Sequence, residues 1–122
     1  MNMLNSLILE GDVTRGLELK SGFADFEVTN KRYYQKPYGS MKEEENVFTV
    51  ELYGNQIERF KTHLVTGRGV RIVGLIKQRK EKDEAGVEHS RVVIVAEHIE
   101  FKRYKSPEER AEEAPETQEA KA

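Results

Sequence analysis

Along most of the chain, apolar and polar positions alternate in twos, and helical spacing takes over only near the middle. Alternation marks a strand with one face toward a core and the other toward solvent. The clearest case is residues 47–52, "VFTVEL", which run directly into Tyr53 and Gly54. Upstream, residues 4–13 hold Leu7, Ile8, Leu9 and Val13, with Gly11 interrupting them. A glycine inside a strand marks a bulge or the close approach of another backbone, and the same strand is predicted to continue to Lys20. Residues 22–29 alternate more loosely through Phe23, Phe26 and Val28 and form a second strand. The stretch "NKRYYQKPYGSMKEEEN", residues 30–46, has no usable period and predicts a long loop between strands two and three.

After Gly54, "NQIERFKTHLVTG" places Ile57, Phe60 and Leu64 at three- and four-residue spacing, the pattern of a short amphipathic helix. Asn55 is its expected cap and Gly67 its stop. "GVRIVGLIKQRK" alternates around Val70, Ile72 and Leu75 as a fourth strand, "EKDEAGVEH" holds a turn at Ala85 and Gly86, and "SRVVIVAEHIEF" gives a fifth strand with residues 92–95 as its buried centre. Three strands, a helix and two strands are the plan of the OB-fold. This is an all-β, five-stranded, partly open β-barrel with one short helix between strands 3 and 4. The apolar helix face is expected to plug one end of the barrel, and Gly54 is where the chain leaves the sheet.

Composition narrows the function. The 122 residues include no Cys and no Trp, which excludes a disulfide framework and a thiolate metal site. No apolar run approaches the ~20 residues of a membrane span, and the N-terminus lacks the basic start and long apolar stretch of a signal peptide. A cytoplasmic protein is expected. The net charge of −2 hides an asymmetry: from Ser106 onward six Glu face Arg110 and Lys121, so the body is mildly basic and the tail acidic. Residues 1–105 form the expected single domain. Residues 106–122, with no aromatic or branched aliphatic side chain, are expected to be a disordered acidic tail.

Within the body, Tyr33, Tyr34 and Tyr38 stand among Lys31, Arg32 and Lys36. A cationic loop tracks a phosphate backbone while tyrosine rings offer flat faces to bases, each stacked base contributing roughly 1–3 kcal/mol. The plainer reading is a solvated loop whose tyrosines pack on their own scaffold. A second cluster, Lys77, Arg79, Lys80 and Lys82, crowds the end of strand four, with Lys77 and Arg79 on one face. Glu81, Asp83 and Glu84 nearby also suit an ordinary surface hairpin. Arg15, after the strand-one bend, leans toward phosphate contact, whereas Arg68, between two glycines, suits a solvent turn. His63, His89 and His98 have no ligand-like spacing, no glycine loop opens a helix to cradle phosphate, and Glu43–Glu45 lack the alternation of a calcium loop. No enzyme, metal or cofactor is expected; a nuclease using those glutamates is the disfavoured alternative.

Taken in order, "NSLILEGDVT", "GFADFEVTNKRYY" and "VFTVELYGNQIERFKTHLVTGRGVRIVGLIKQRK" resemble the bacterial single-stranded DNA-binding protein family over residues 5–101. The resemblance implies sequence-nonspecific binding of single-stranded DNA during replication, recombination and repair, a nucleoid-associated location, and a homotetramer. It makes Tyr34, Phe48 or its neighbour Val47, and Tyr53 base-stacking positions. Glu81 stands where a fourth aromatic is expected. The chain ends "TQEAKA" instead of in the family's acidic tip closed by Pro and Phe, which makes recruitment of replication and repair proteins through the C-terminus doubtful. Two alternatives remain: a dimer like the primosomal replication protein N, and an OB-fold adaptor that binds protein instead of nucleic acid. If the acidic tail competes with DNA for the basic faces, deleting residues 106–122 raises affinity for a single strand at low salt. An unchanged affinity disposes of that competition.

Overall fold

The computed structural model describes residues 1–102; the expected tail at 106–122 and the domain boundary near residue 105 lie outside them. The elements run β1 Leu7–Leu19, β2 Ala24–Gln35, β3 Met41–Leu52, α1 Asn55–Phe60, β4 Gly69–Lys82 and β5 Glu88–Phe101. The strands close into a barrel in the order β1-β2-β3-β5-β4, with β4 returning to β1. This is the expected five-stranded plan, with the helix between β3 and β4. Val13, Phe26, Val28, Val50, Leu52 and Ile72 point inward and are buried. Phe60, at the end of α1, and Leu64, just beyond it, close the barrel from below; burying each side chain contributes roughly 1.5–3 kcal/mol.

Several expectations need correction. Residues 30–46 do not form a long loop. β2 and β3 stay paired without interruption from Ala24 beside Leu52 to Gln35 beside Met41, leaving a tight turn closed by Lys36 N–H donating to Ser40 O at 2.8 Å. Cross-strand ion pairs replace the hydrophobic period: Lys31 Nζ lies 3.7 Å from both Glu43 and Glu45, and Arg32 Nε lies 3.0 Å from Glu44. The helix is one six-residue stretch ending at Phe60, and Gly54, not Asn55, is its cap, with no side-chain hydrogen bond. On β5 the buried residues are Val93, Ile94, Ala96 and Ile99, whereas Val92 is 64% exposed, because the strand extends past the barrel there. Ile8, counted in the apolar set of strand one, also faces outward.

Gly11 fulfils its expected role. A Cβ there would collide with the Thr29 carbonyl of β2, where β1 changes partner from β4 to β2. Gly11→Ala is expected to destabilise the domain by about 1–3 kcal/mol through overpacking, read as a lower urea midpoint at unchanged slope. An unchanged midpoint contradicts the close approach.

Candidate nucleic-acid interface

The seam between β3 and β5 is parallel, with Val50 beside Ile94 and Glu51 beside Val95. Because the two strands run in the same direction, the β2–β3 and β4–β5 hairpins leave the barrel at the same end. Side chains alternate across each ribbon, so the β2–β3 hairpin has two different faces. Arg32, Tyr34, Lys42, Glu44 and Phe48 continue the side of the core residues Val28 and Val50, and Arg32 covers the Tyr34 ring at 5.2 Å. Lys31, Tyr33, Glu43, Glu45 and Val47 continue the side of Glu51 and Tyr53. Between residues 31–34 and 42–45, the first face therefore carries a net positive charge and the second a net negative one. Tyr38 is 97% exposed in the turn.

Tyr53 belongs to a second arrangement, at the barrel end of this other face. Its ring stacks on Phe23 at 5.7 Å with 26° between the planes. Its hydroxyl donates to Glu51 Oε1 at 2.6 Å and accepts from Arg79 Nη2 at 2.7 Å and Lys77 Nζ at 3.0 Å. Arg79 also grips Glu51 twice, Nε to Oε2 at 2.6 Å and Nη2 to Oε1 at 2.8 Å, with its guanidinium 4.2 Å from the Phe23 ring centre. To reach Glu51 from β4, Arg79 passes over β5, where Arg91 stands opposite it and the small side chains of Val93 and Val95 follow on the same side. Val93 is 1% exposed although it lies outside the barrel's core cluster.

Glu51 is fully buried, so its charge must be paired. Burial pushes its carboxyl pKa up, but the hydrogen bonds from Arg79 and Tyr53 and the charges of Arg79 and Lys77 outweigh this and hold it below the ordinary carboxylate value. The same pair pushes the Arg79 guanidinium up.

The structure thus sorts the sequence's candidates. Lys77, Arg79 and Tyr53 come together. Tyr34 and Arg32 form a separate pair on the β2–β3 ribbon, and Phe48 lies on Tyr34's side, whereas Val47 lies on Tyr53's. Arg15 is held by Asp25 at 2.9 Å, Glu18 at 3.0 Å and Glu27 at 3.7 Å, so three carboxylates surround it. Lys36, Lys42 and Lys80 make no ion pair with any described residue. Glu81, at the position of the missing aromatic, pairs with Arg91 at 3.3 Å. Glu43–Glu45, the conceivable metal ligands, face Lys31 and Arg32. Sequence reasoning missed Phe23, Glu51 and Lys42. Glu51 shares a strand face with Tyr53, two residues on, which marks it as a neighbour of the proposed platform but not as a buried charge.

A family profile described as "Single-strand binding protein family" matches residues 4–102. The chain belongs to the single-strand binding protein family. It is 30% identical over 109 residues to the single-stranded DNA-binding protein of Helicobacter pylori, covering 85% of this chain and 61% of that protein. The corresponding protein of Wolinella succinogenes is 28% identical over 104 residues, covering 81% and 64%. This family member therefore spans somewhat over half the length of the curated relatives it matches. The fold is also that of the Plasmodium falciparum protein solved in complex with single-stranded DNA: TM-score 0.71, 18% identity, 84% of this chain and 98% of that one. Among the described residues, no helix is long and apolar enough to cross a membrane.

The Glu51 pairing has a pH signature. Its folded pKa lies below the unfolded value of about 4.3, so its contribution is complete above that value and is lost as pH falls through the folded one. Unfolding measured from about pH 7 to about pH 3 should show stability falling in the acid range, with part of that fall absent in Glu51→Gln. Equal acid dependence in both proteins excludes the linkage.

Proposed function

We propose that the chain binds single-stranded DNA without sequence preference and protects it during replication, recombination and repair, without chemistry of its own. The observation that carries this reading is a repeated unit of tyrosine ring plus cation: Arg32 lies 5.2 Å from the Tyr34 ring and Lys77 lies 5.3 Å from the Tyr53 ring. A nucleotide offers the complementary pair, an aromatic base and an anionic phosphate. Lys36, Lys42 and Lys80 extend the cationic path along the two hairpins. Arg15 does not belong to it, because its carboxylate neighbours repel phosphate. Family membership and the names of the relatives support the same reading, as does the strand-bound structural neighbour.

The working unit we propose is a homotetramer acting in the cytoplasm. Ile8, 70% exposed, is an apolar side chain turned away from the barrel, and Val92, 64% exposed, lies past the barrel's end; both suit burial against other copies. Light scattering separates a tetramer from a dimer.

Titration of labelled oligo-dT at several salt concentrations tests the DNA reading. Tyr34→Ala is expected to weaken binding by about 1–3 kcal/mol with little change in the salt dependence. Lys77→Ala is expected to flatten the log–log salt slope by about 0.7, the share of one phosphate contact on a single strand. No binding at low salt overturns the reading and favours a protein-binding adaptor. Parent-like binding by Tyr34→Ala removes that ring from the site.

A further inference from the structure

We infer that Glu51 acts as an internal substitute for phosphate: it occupies Arg79 permanently, so that the Tyr53 platform presents one cation, Lys77, to a bound strand, with Arg79 serving as a positioning residue. The inference rests on the single-stranded DNA reading and specifies the chemistry of that site. It begins from an imbalance. Two cations, Lys77 and Arg79, lie beside Tyr53, and one carboxylate lies between them. The carboxylate is not shared equally. Arg79 meets it with two short hydrogen bonds, whereas Lys77 Nζ stays 3.9 Å away. Both the Nε–H and the Nη2 of Arg79 are committed to Glu51 and Tyr53, and the guanidinium carbon lies over the Phe23 ring. Turning Arg79 toward an external phosphate would leave Glu51 in a fully buried position with a distant lysine as its remaining charge partner. Breaking one side of a buried pair is strongly unfavourable. The lysine head, on a side chain 42% exposed, gives up one hydrogen bond, to the Tyr53 hydroxyl, when it moves outward.

The same carboxylate fixes the ring. The Tyr53 hydroxyl donates to Glu51 and accepts from Arg79, so ring tilt is set from one edge while Phe23 supports it from one side. A platform held in this way loses little freedom when a base stacks on it. Glu51 therefore has two separable effects: it sets the orientation of the ring, and it removes one positive charge from the phosphate path.

The test compares the salt slopes of oligo-dT binding for the parent, Glu51→Gln, Arg79→Gln and the double variant, each at several salt concentrations. Glu51→Gln is expected to steepen the slope by about 0.7, because the released arginine gains a phosphate. The double variant is expected to keep the parent slope, whereas Arg79→Gln, which leaves Lys77 as the charge partner of Glu51, is expected to flatten it by about 0.7. The double variant removes both charges together and so avoids an unpaired buried ion, and its comparison with the parent decides the matter if a single variant does not fold. A flatter slope by about 0.7 in the double variant means that Arg79 contacts phosphate in the parent and overturns the inference; so does a folded Glu51→Gln with the parent slope. Failure of the parent to bind oligo-dT is a different result, which overturns the functional reading and this inference together.

Discussion

Two parallel residue pairs between β3 and β5 close the barrel, and much of what the protein presents to its surroundings follows from that short seam. Parallel pairing sends both long hairpins out of the same end of the barrel. It also sets Glu51 at the seam, beside Val95, where a charged side chain is cut off from water. A buried carboxylate demands a partner, and Arg79 answers from β4 across the small valines of β5. The path across those valines needs the register that places Lys77 beside Val93 and Arg79 beside Arg91. Barrel closure, burial of a charge and construction of the Tyr53 platform are thus one geometric event.

The β2–β3 ribbon follows a different logic. Beyond the barrel it has no core on either side, so a period of apolar residues cannot hold it in register. Charge complementarity does so instead, with Lys31 against two glutamates and Arg32 against a third. Exposed pairs of this kind contribute little stability individually. Their arrangement nevertheless gives the ribbon one cationic face, carrying Tyr34, and one anionic face. A polyanion is drawn to the first and repelled by the second.

This contrast explains what could be read from the sequence. The barrel strands, the apolar set Ile57, Phe60 and Leu64 that closes the barrel, and the constraint at Gly11 were legible because each obeys a hydrophobic period or a steric rule. The ribbon at residues 30–46 was not, because alternation of charge with charge leaves no apolar signal, and the triple glutamate resembled a solvated loop. The tyrosine candidates were found from their cationic neighbours in the sequence and from the family resemblance. Their division between two faces required the register, which places Tyr34 and Tyr53 on opposite sides of the ribbon. Glu51 stayed hidden for a similar reason. In a lone strand it reads as the solvent-facing polar position, and its burial comes from a strand that is remote in sequence.

Family membership supplies the fold and the name of the relatives, while the side-chain geometry adds the division of labour among the cations. Arg15 and Arg79 are held by carboxylates, and Lys36, Lys42 and Lys80 are not. Counting Lys and Arg near the aromatics therefore overstates the number of phosphate contacts. With no tryptophan in the chain, the tyrosine rings are natural reporters. The most direct measurement is NMR of ring-labelled tyrosine during an oligo-dT titration at low salt. The account predicts saturable shifts of the Tyr34 and Tyr53 ring signals, reversed by added salt; both rings unmoved at saturating oligo-dT would contradict it.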